Sequence, residues 1–215
     1  MTHCCDPVSY RRFFNRKEAQ RRLRAYRRRG LDPMARSMVE FLKTQPIAGS
    51  AVLEVGGGVG DLQVELFEAG VAEAVNIELS SGYEETAAEL LRAEGLEGRA
   101  KRLTGDFVER QNELLPADIV VLNRVVCCYP FMEEMMRASA AKTRRFLAVA
   151  VPREKWWIRA ALGIGNVFLS LKGCGFRAFV HPLDGIEAVA AEEGLVVVHR
   201  DNNVFWQALV WERPA

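Results

Sequence analysis

The chain has 215 residues, 49% hydrophobic and 27% charged, which suits one packed α/β domain with a small attachment. No apolar run approaches the ~20 residues of a spanning helix, and residues 1–6 lack the apolar stretch of a secretory signal, so a cytoplasmic location is expected. The net charge of +1 is unevenly placed: residues 1–30 hold nine Arg and one Lys against Asp6 and Glu18, a local +8, which leaves −7 on the other 185 residues.

That basic arm has two readings. It is a surface for nucleic acid, anionic lipid or an acidic substrate, or it is a solvated helix face that docks on the acidic body. The second is favoured, because apolar residues recur in it at helical spacing. The five cysteines are Cys4, Cys5, Cys127, Cys128 and Cys174. An odd count with two adjacent pairs argues against a disulfide framework, and adjacent cysteines are poor metal ligands, so no metal is expected.

In chain order, residues 16–29 read as a helix closed by Gly30, with Leu23 and Tyr26 as an apolar pair on a face otherwise made of Arg. Asp32-Pro33 opens a second helix whose apolar face is Met34, Met38, Phe41 and Leu42. These helices form an N-terminal cap over residues 1–45. From residue 46 onward, strands fit 51–55, 74–78, 100–104, 119–123 and 146–151. Helices fit 61–69, 82–93, 131–142 and 183–193. Two β-rich runs, 195–200 and 204–212, are joined by turn formers at 201–203 and predict a terminal hairpin. The alternation predicts a mostly parallel, seven-stranded Rossmann-like sheet covered by helices, ending in an antiparallel hairpin. A plain dinucleotide-binding domain would end on another parallel strand.

The most specific motif is Glu54-Val55-Gly56-Gly57-Gly58-Val59-Gly60-Asp61, set between a strand and a helix. Glycines there let the backbone pass close to a ligand. A dinucleotide fingerprint would place its third glycine at position 61, which is Asp61. A ligand without phosphate tolerates that acid. The Glu54, Gly56, Gly58, Gly60 arrangement resembles the first motif of class I S-adenosylmethionine (SAM)-dependent methyltransferases.

Glu78 ends the second strand, 20 residues after Gly58, where an acid accepts hydrogen bonds from ribose hydroxyls, and Leu79 follows beside the adenine. In that family an acid after the third strand meets the adenine amino group. Here it is Asp106, with Phe107 flanking the ring and helix capping as a second role. Asn123 ends the fourth strand near the methionine part of SAM. Tyr129, in Cys127-Cys128-Tyr129-Pro130, is the candidate catalytic residue, as a hydrogen-bonding partner of an acceptor oxygen. The alternative for Tyr129 is a cover over the site.

Residues 153–182 form a substrate-side insertion rich in apolar residues, including Trp156, Trp157, Ile164, Val167, Phe168 and Leu171. It reads as an apolar helix or helix pair that walls a hydrophobic acceptor, packs as core, or touches a membrane surface peripherally. The layout also resembles magnesium-protoporphyrin O-methyltransferases and their bacterial relatives. Phe13-Phe14-Asn15, the Tyr129-Pro130 pair, Pro152-Arg153 before an apolar helix with Gly163, and His181-Pro182 carry that resemblance. The family has Tyr where this chain has Phe13, and His where it has Cys128. The resemblance therefore implies the SAM site and leaves the acceptor open. The expected activity is methyl transfer to a small hydrophobic acceptor, at oxygen. The alternatives are an RNA methyltransferase using the basic helix, or a SAM-binding protein without catalysis.

Overall fold

The structure is a computed structural model that describes residues 7–214; Cys4 and Cys5, and the start of the basic arm, lie outside the described residues. Three helices lead the chain: α1 (Pro7–Phe13), α2 (Arg16–Arg29) and α3 (Pro33–Lys43). Asn15 caps α2 by accepting from the Lys17 and Glu18 amides, and Asp32 caps α3 by accepting from those of Met34 and Ala35. Both caps satisfy first-turn donors that the helix itself leaves open.

The sheet follows as β1 (Ala51–Val55), β2 (Glu73–Glu78), β3 (Ala100–Thr104), β4 (Ala117–Asn123), β5 (Thr143–Pro152), β6 (Val196–Asn202) and β7 (Trp206–Glu212). Its seven strands run in the order β3-β2-β1-β4-β5-β7-β6. Every pairing is parallel except those of β7, which runs antiparallel to both β5 and β6. The connecting helices are α4 (Asp61–Glu68), α5 (Glu84–Ala93), the single-turn α6 (Phe107–Arg110), α7 (Met132–Ala141), α8 (Trp156–Leu171) and α9 (Leu183–Glu192).

Alternate residues of each central strand feed two cores. Val52, Ile119, Val121, Phe146 and Ala148 face one side, where Leu23, Met34, Met38, Leu42 and Leu62 cover them. Leu53, Val120, Leu122, Leu147 and Val149 face the other, beneath Met135, Met136, Ile186 and Val189. This is the period-2 pattern of strands buried on both faces. The leading helices thus share a core with the sheet. Arg16, Arg22 and Arg27 of α2 reach Glu85, Asp61 and Glu89 of the body.

Element boundaries shift by one to three residues from expectation, β5 starting at Thr143 rather than 146, and two of the shifts have a local cause. The helix expected from residue 82 starts at Glu84, because the Ser80 hydroxyl accepts from the Gly82 amide and turns Ser81–Tyr83 into a 3-10 turn. Gly82 also meets the α1–α2 junction closely: a Cβ on it would lie 2.5 Å from the Phe14 carbonyl oxygen. The hairpin turn falls at residues 203–205 rather than 201–203, because the Asn203 side chain accepts from the Phe205 and Trp206 amides.

Candidate functional site

The glycine loop leaves β1 with three left-handed glycines: Gly56 (φ 63°), Gly58 (φ 58°) and Gly60 (φ 83°). Such backbone favours glycine, and at two loop positions neighbouring side chains also exclude a Cβ. A Cβ on Gly56 would sit 2.7 Å from a Val125 methyl, and one on Gly57 would collide with the side chains of Asn76 and Glu54. Gly57, outside the alternating motif, is therefore as constrained as its neighbours. The turn delivers the Gly58 N–H to the Glu78 carboxylate at 3.0 Å, while the other Glu78 oxygen accepts from the Ser80 amide at 2.9 Å. Glu78 is buried, and burial raises its pKa against these two backbone bonds. Each of its oxygens keeps a lone pair for a further donor.

Two cavities meet beside this loop. The larger, about 850 Å³, lies between α2–α3 and the ends of β1, β2 and β4, with Gly58, Asp61, Glu78, Tyr83 and Asn123 in its wall. The smaller, about 50 Å³, is an apolar slot lined by Ile77, Leu79, Asp106, Phe107, Tyr129 and Met135. Gly56, Val125 and Cys128 line both. The residues expected around an adenine (Leu79, Asp106 and Phe107) gather in the slot, and those expected around the ribose and amino acid (Glu78 and Asn123) gather in the cleft.

Glu54 and Gly60 line neither cavity. Gly60 turns the chain into α4. Glu54 lies under the loop with no exposed surface, accepts from the Asn76 side chain at 3.3 Å, and leaves its second oxygen without a partner. Burial, reinforced by Asp61 and opposed by Arg22 and Arg102, pushes its pKa up to about 8. Asp61, on the cleft wall, is held by Arg22 through two bonds of 3.1 and 3.3 Å.

Asn123 donates to Asp32 at 3.0 Å, while its side-chain oxygen is buried without a partner. Arg124 takes a left-handed φ of 63°, donates to the same Asp32 at 2.9 Å, and stacks its guanidinium on Trp206. Asp32 thus joins the tip of β4 to the start of α3 across the cleft. Asp106 caps α6 by accepting from the Val108 and Glu109 amides, and it also accepts from the Tyr129 hydroxyl. Burial raises the pKa of Asp106, these hydrogen bonds opposing it. Tyr129 therefore stands in the slot beside Asp106, while the larger cleft opens past Cys128.

The site is closed on its outer side by two segments distant in sequence. The Tyr10 hydroxyl donates to the Cys128 carbonyl, and the Ser80 hydroxyl donates to the Phe14 carbonyl at 2.6 Å. Tyr10, Phe13 and Phe14 pack edge-on or stacked against Phe176, which follows α8. The Phe179 amide donates to the Cys127 carbonyl at 2.7 Å, and the His181 ring bonds to that of Tyr129 at 2.8 Å. The sulfurs of Cys127 and Cys128 lie 3.8 Å apart, each 3.5 Å from the Arg124 carbonyl. Arg22, Asp32 and Arg124 escaped the sequence reading: Arg22 is one of nine N-terminal arginines, and Asp-Pro signalled only a helix start.

A sheet of this order with one reversed strand, and a glycine turn bonded to the acid ending β2, defines the class: this is the fold of SAM-dependent methyltransferases. No protein-family model matches the chain, and no curated protein does so by sequence. Solved structures do match. Magnesium protoporphyrin IX methyltransferase from Synechocystis PCC 6803, with bound SAH, superposes with a TM-score of 0.76 at 19% identity, covering 97% of this chain and 100% of that one. An O-methyltransferase family 2 protein from Planctomyces limnophilus, in complex with apigenin, gives 0.66 at 17% identity, covering 93% of this chain and 62% of that one. A putative RNA methyltransferase from Pyrococcus horikoshii gives 0.60 at 16% identity, covering 83% of each chain. Likeness at these identities establishes the fold.

Proposed function

We propose that this chain binds SAM and transfers its methyl group to a small hydrophobic acceptor, at oxygen. The observation that carries the reading is the Gly58–Glu78 hydrogen bond in the wall of the cleft, beside an apolar slot that shares Gly56, Val125 and Cys128 with it. A nucleoside joined to an amino acid needs those two differently lined compartments on either side of one ribose anchor. The unpartnered Asn123 oxygen at the cleft wall suits an ammonium donor. The structural neighbours with bound SAM or SAH support the choice of cofactor, and the O-methyltransferases among them support oxygen as the receiving atom.

In this reading Glu78 accepts from the ribose hydroxyls, Leu79 and Phe107 cover the purine, and Asp106 accepts from its exocyclic amine. Tyr129 orients Asp106 through its hydroxyl. SAM, when bound, supplies an electrophilic methyl on a sulfonium. The chain's contribution is then to hold the acceptor oxygen in line with that methyl and to exclude water. The narrow junction of the two cavities, walled by Gly56, Val125 and Cys128, is where the acceptor must approach.

Calorimetric titration with SAM and SAH, followed by a labelled-methyl screen over aromatic, fatty and tetrapyrrole acids, tests the reading. Gly58→Val combines a left-handed φ of 58° with a Cβ 3.3 Å from Tyr83 and Arg22, and is expected to abolish SAM binding. Unaltered affinity in that variant, folded by circular dichroism, would refute the placement.

A further inference from the structure

The apolar helix of the 153–182 insertion has almost no partner. In α8 only Ile158 is buried, while Trp156 is 81% and Leu171 is 79% exposed, with Ile164, Val167 and Phe168 between them also exposed. At 3.6 residues per turn these five side chains fall within one arc of about 120°, along a helix of roughly 24 Å. The opposite side is anchored: Ile158 enters the core, and the Asn166 side chain clamps both backbone groups of Ala178 at 2.8 and 2.9 Å. The face is therefore presented outward by a fixed helix.

Its charge surroundings are one-sided. No Asp or Glu occurs between Lys155 and Leu183, whereas Lys155, Arg159, Lys172 and Arg177 do. Arg159 pairs with Glu154; among the described residues no carboxylate lies within ion-pair distance of the other three. The basic α1 adjoins the same end of the helix, where Arg12 donates to the Gly173 carbonyl at 3.0 Å. No helix among the described residues is long and apolar enough to cross a membrane.

We propose that α8 is a membrane-surface anchor that lies in the interface of an anionic bilayer, its Trp156–Leu171 face among the acyl chains and its basic rim among the headgroups. An exposed apolar helix face with a cationic border is the pattern of interfacial helices. A second copy of the chain fits less well, since pairing these faces would bring two like-charged rims together. The insertion also packs against the turn at Cys127–Tyr129, so docking would set the mouth of the cleft close to the lipid. The proposal does not depend on the methyltransferase reading, because its readout needs neither SAM nor turnover.

The test is co-sedimentation of the full chain with phosphatidylcholine vesicles and with equimolar phosphatidylcholine/phosphatidylglycerol vesicles, with tryptophan fluorescence in parallel. Binding to the anionic vesicles is expected to be on the order of 10- to 100-fold tighter, to weaken with salt, and to shift the summed tryptophan emission to the blue, a shift that Trp156→Phe should reduce. Val167→Glu combined with Leu171→Glu, both at exposed positions, should lower that affinity about tenfold or more. Lys155→Glu combined with Lys172→Glu should erase the preference for anionic lipid while leaving the apolar face intact. Equal partitioning into both vesicles, no binding to either, or unchanged binding when Val167 and Leu171 are both replaced would each overturn the proposal. So would a dimer in sedimentation velocity that this same pair of substitutions dissolves.

Discussion

Replacing Glu54 by Gln should remove a pH dependence that the wild-type fold carries. Burial beneath the glycine loop, with Asp61 adding to it, moves this carboxyl from 4.5 up to about 8. The native state therefore keeps a proton that the unfolded chain releases. A raised carboxyl pKa means the unfolded state binds fewer protons between these values, so stability is full below about pH 4.5 and falls as pH rises towards 8. At ~1.4 kcal/mol per pH unit, the window sets an upper bound of about 5 kcal/mol. Arg22 and Arg102, which favour the ionised form, already hold the value down to about 8; with several charged groups titrating together, a fall of about 2–4 kcal/mol within that bound is expected. Glutamine keeps the shape and the bond from Asn76 but cannot ionise. Urea unfolding at pH 5, 6, 7 and 8, followed by the fluorescence of the four tryptophans, measures both proteins. The Glu54→Gln protein should match the wild type near pH 5 and exceed it by about 2 kcal/mol or more at pH 8. Parallel profiles across that range would show Glu54 ionised at neutrality and refute the reasoning.

Asp32→Ala removes the cap of α3 and strands Asn123 and Arg124; a loss of about 2–4 kcal/mol in urea unfolding is expected, with weaker SAM binding through the displaced Asn123. Gly82→Ala places a Cβ 2.5 Å from the Phe14 carbonyl oxygen and should lift the first segment from the site. Limited proteolysis before residue 16 should then accelerate about tenfold, since overpacking of this kind costs ~1–3 kcal/mol, while unchanged protection would count against the close approach. Tyr129→Phe removes the hydroxyl from Asp106 and should weaken SAM binding about 3- to 10-fold with kcat little changed. A collapse of kcat at unaltered SAM affinity would instead place Tyr129 on the acceptor.

The sheet, its reversed last strand and the glycine turn were legible in the chain because they rest on short-range signals. Strand and helix periods report local burial, and Gly56, Gly58 and Gly60 stand where only a left-handed turn makes sense. That position 78 ends the next strand follows from strand length and crossover geometry, and the acid there was read from the pattern of ribose-binding sites. What only the tertiary structure decided is how side chains far apart in sequence meet. Asp32 reaches Asn123 across 91 positions, and Arg22 reaches Asp61 across 39. No local pattern separates Arg22 from the other N-terminal arginines; packing of α2 against the body does. The same holds for Glu54, whose position in the motif suggested a ligand contact and whose strand face directs it beneath the loop instead. Likewise, the composition of residues 156–171 allowed a core helix, an acceptor wall or a surface face. The choice among them rests on which side of the helix the sheet leaves uncovered, a matter of three-dimensional packing that periodicity does not encode.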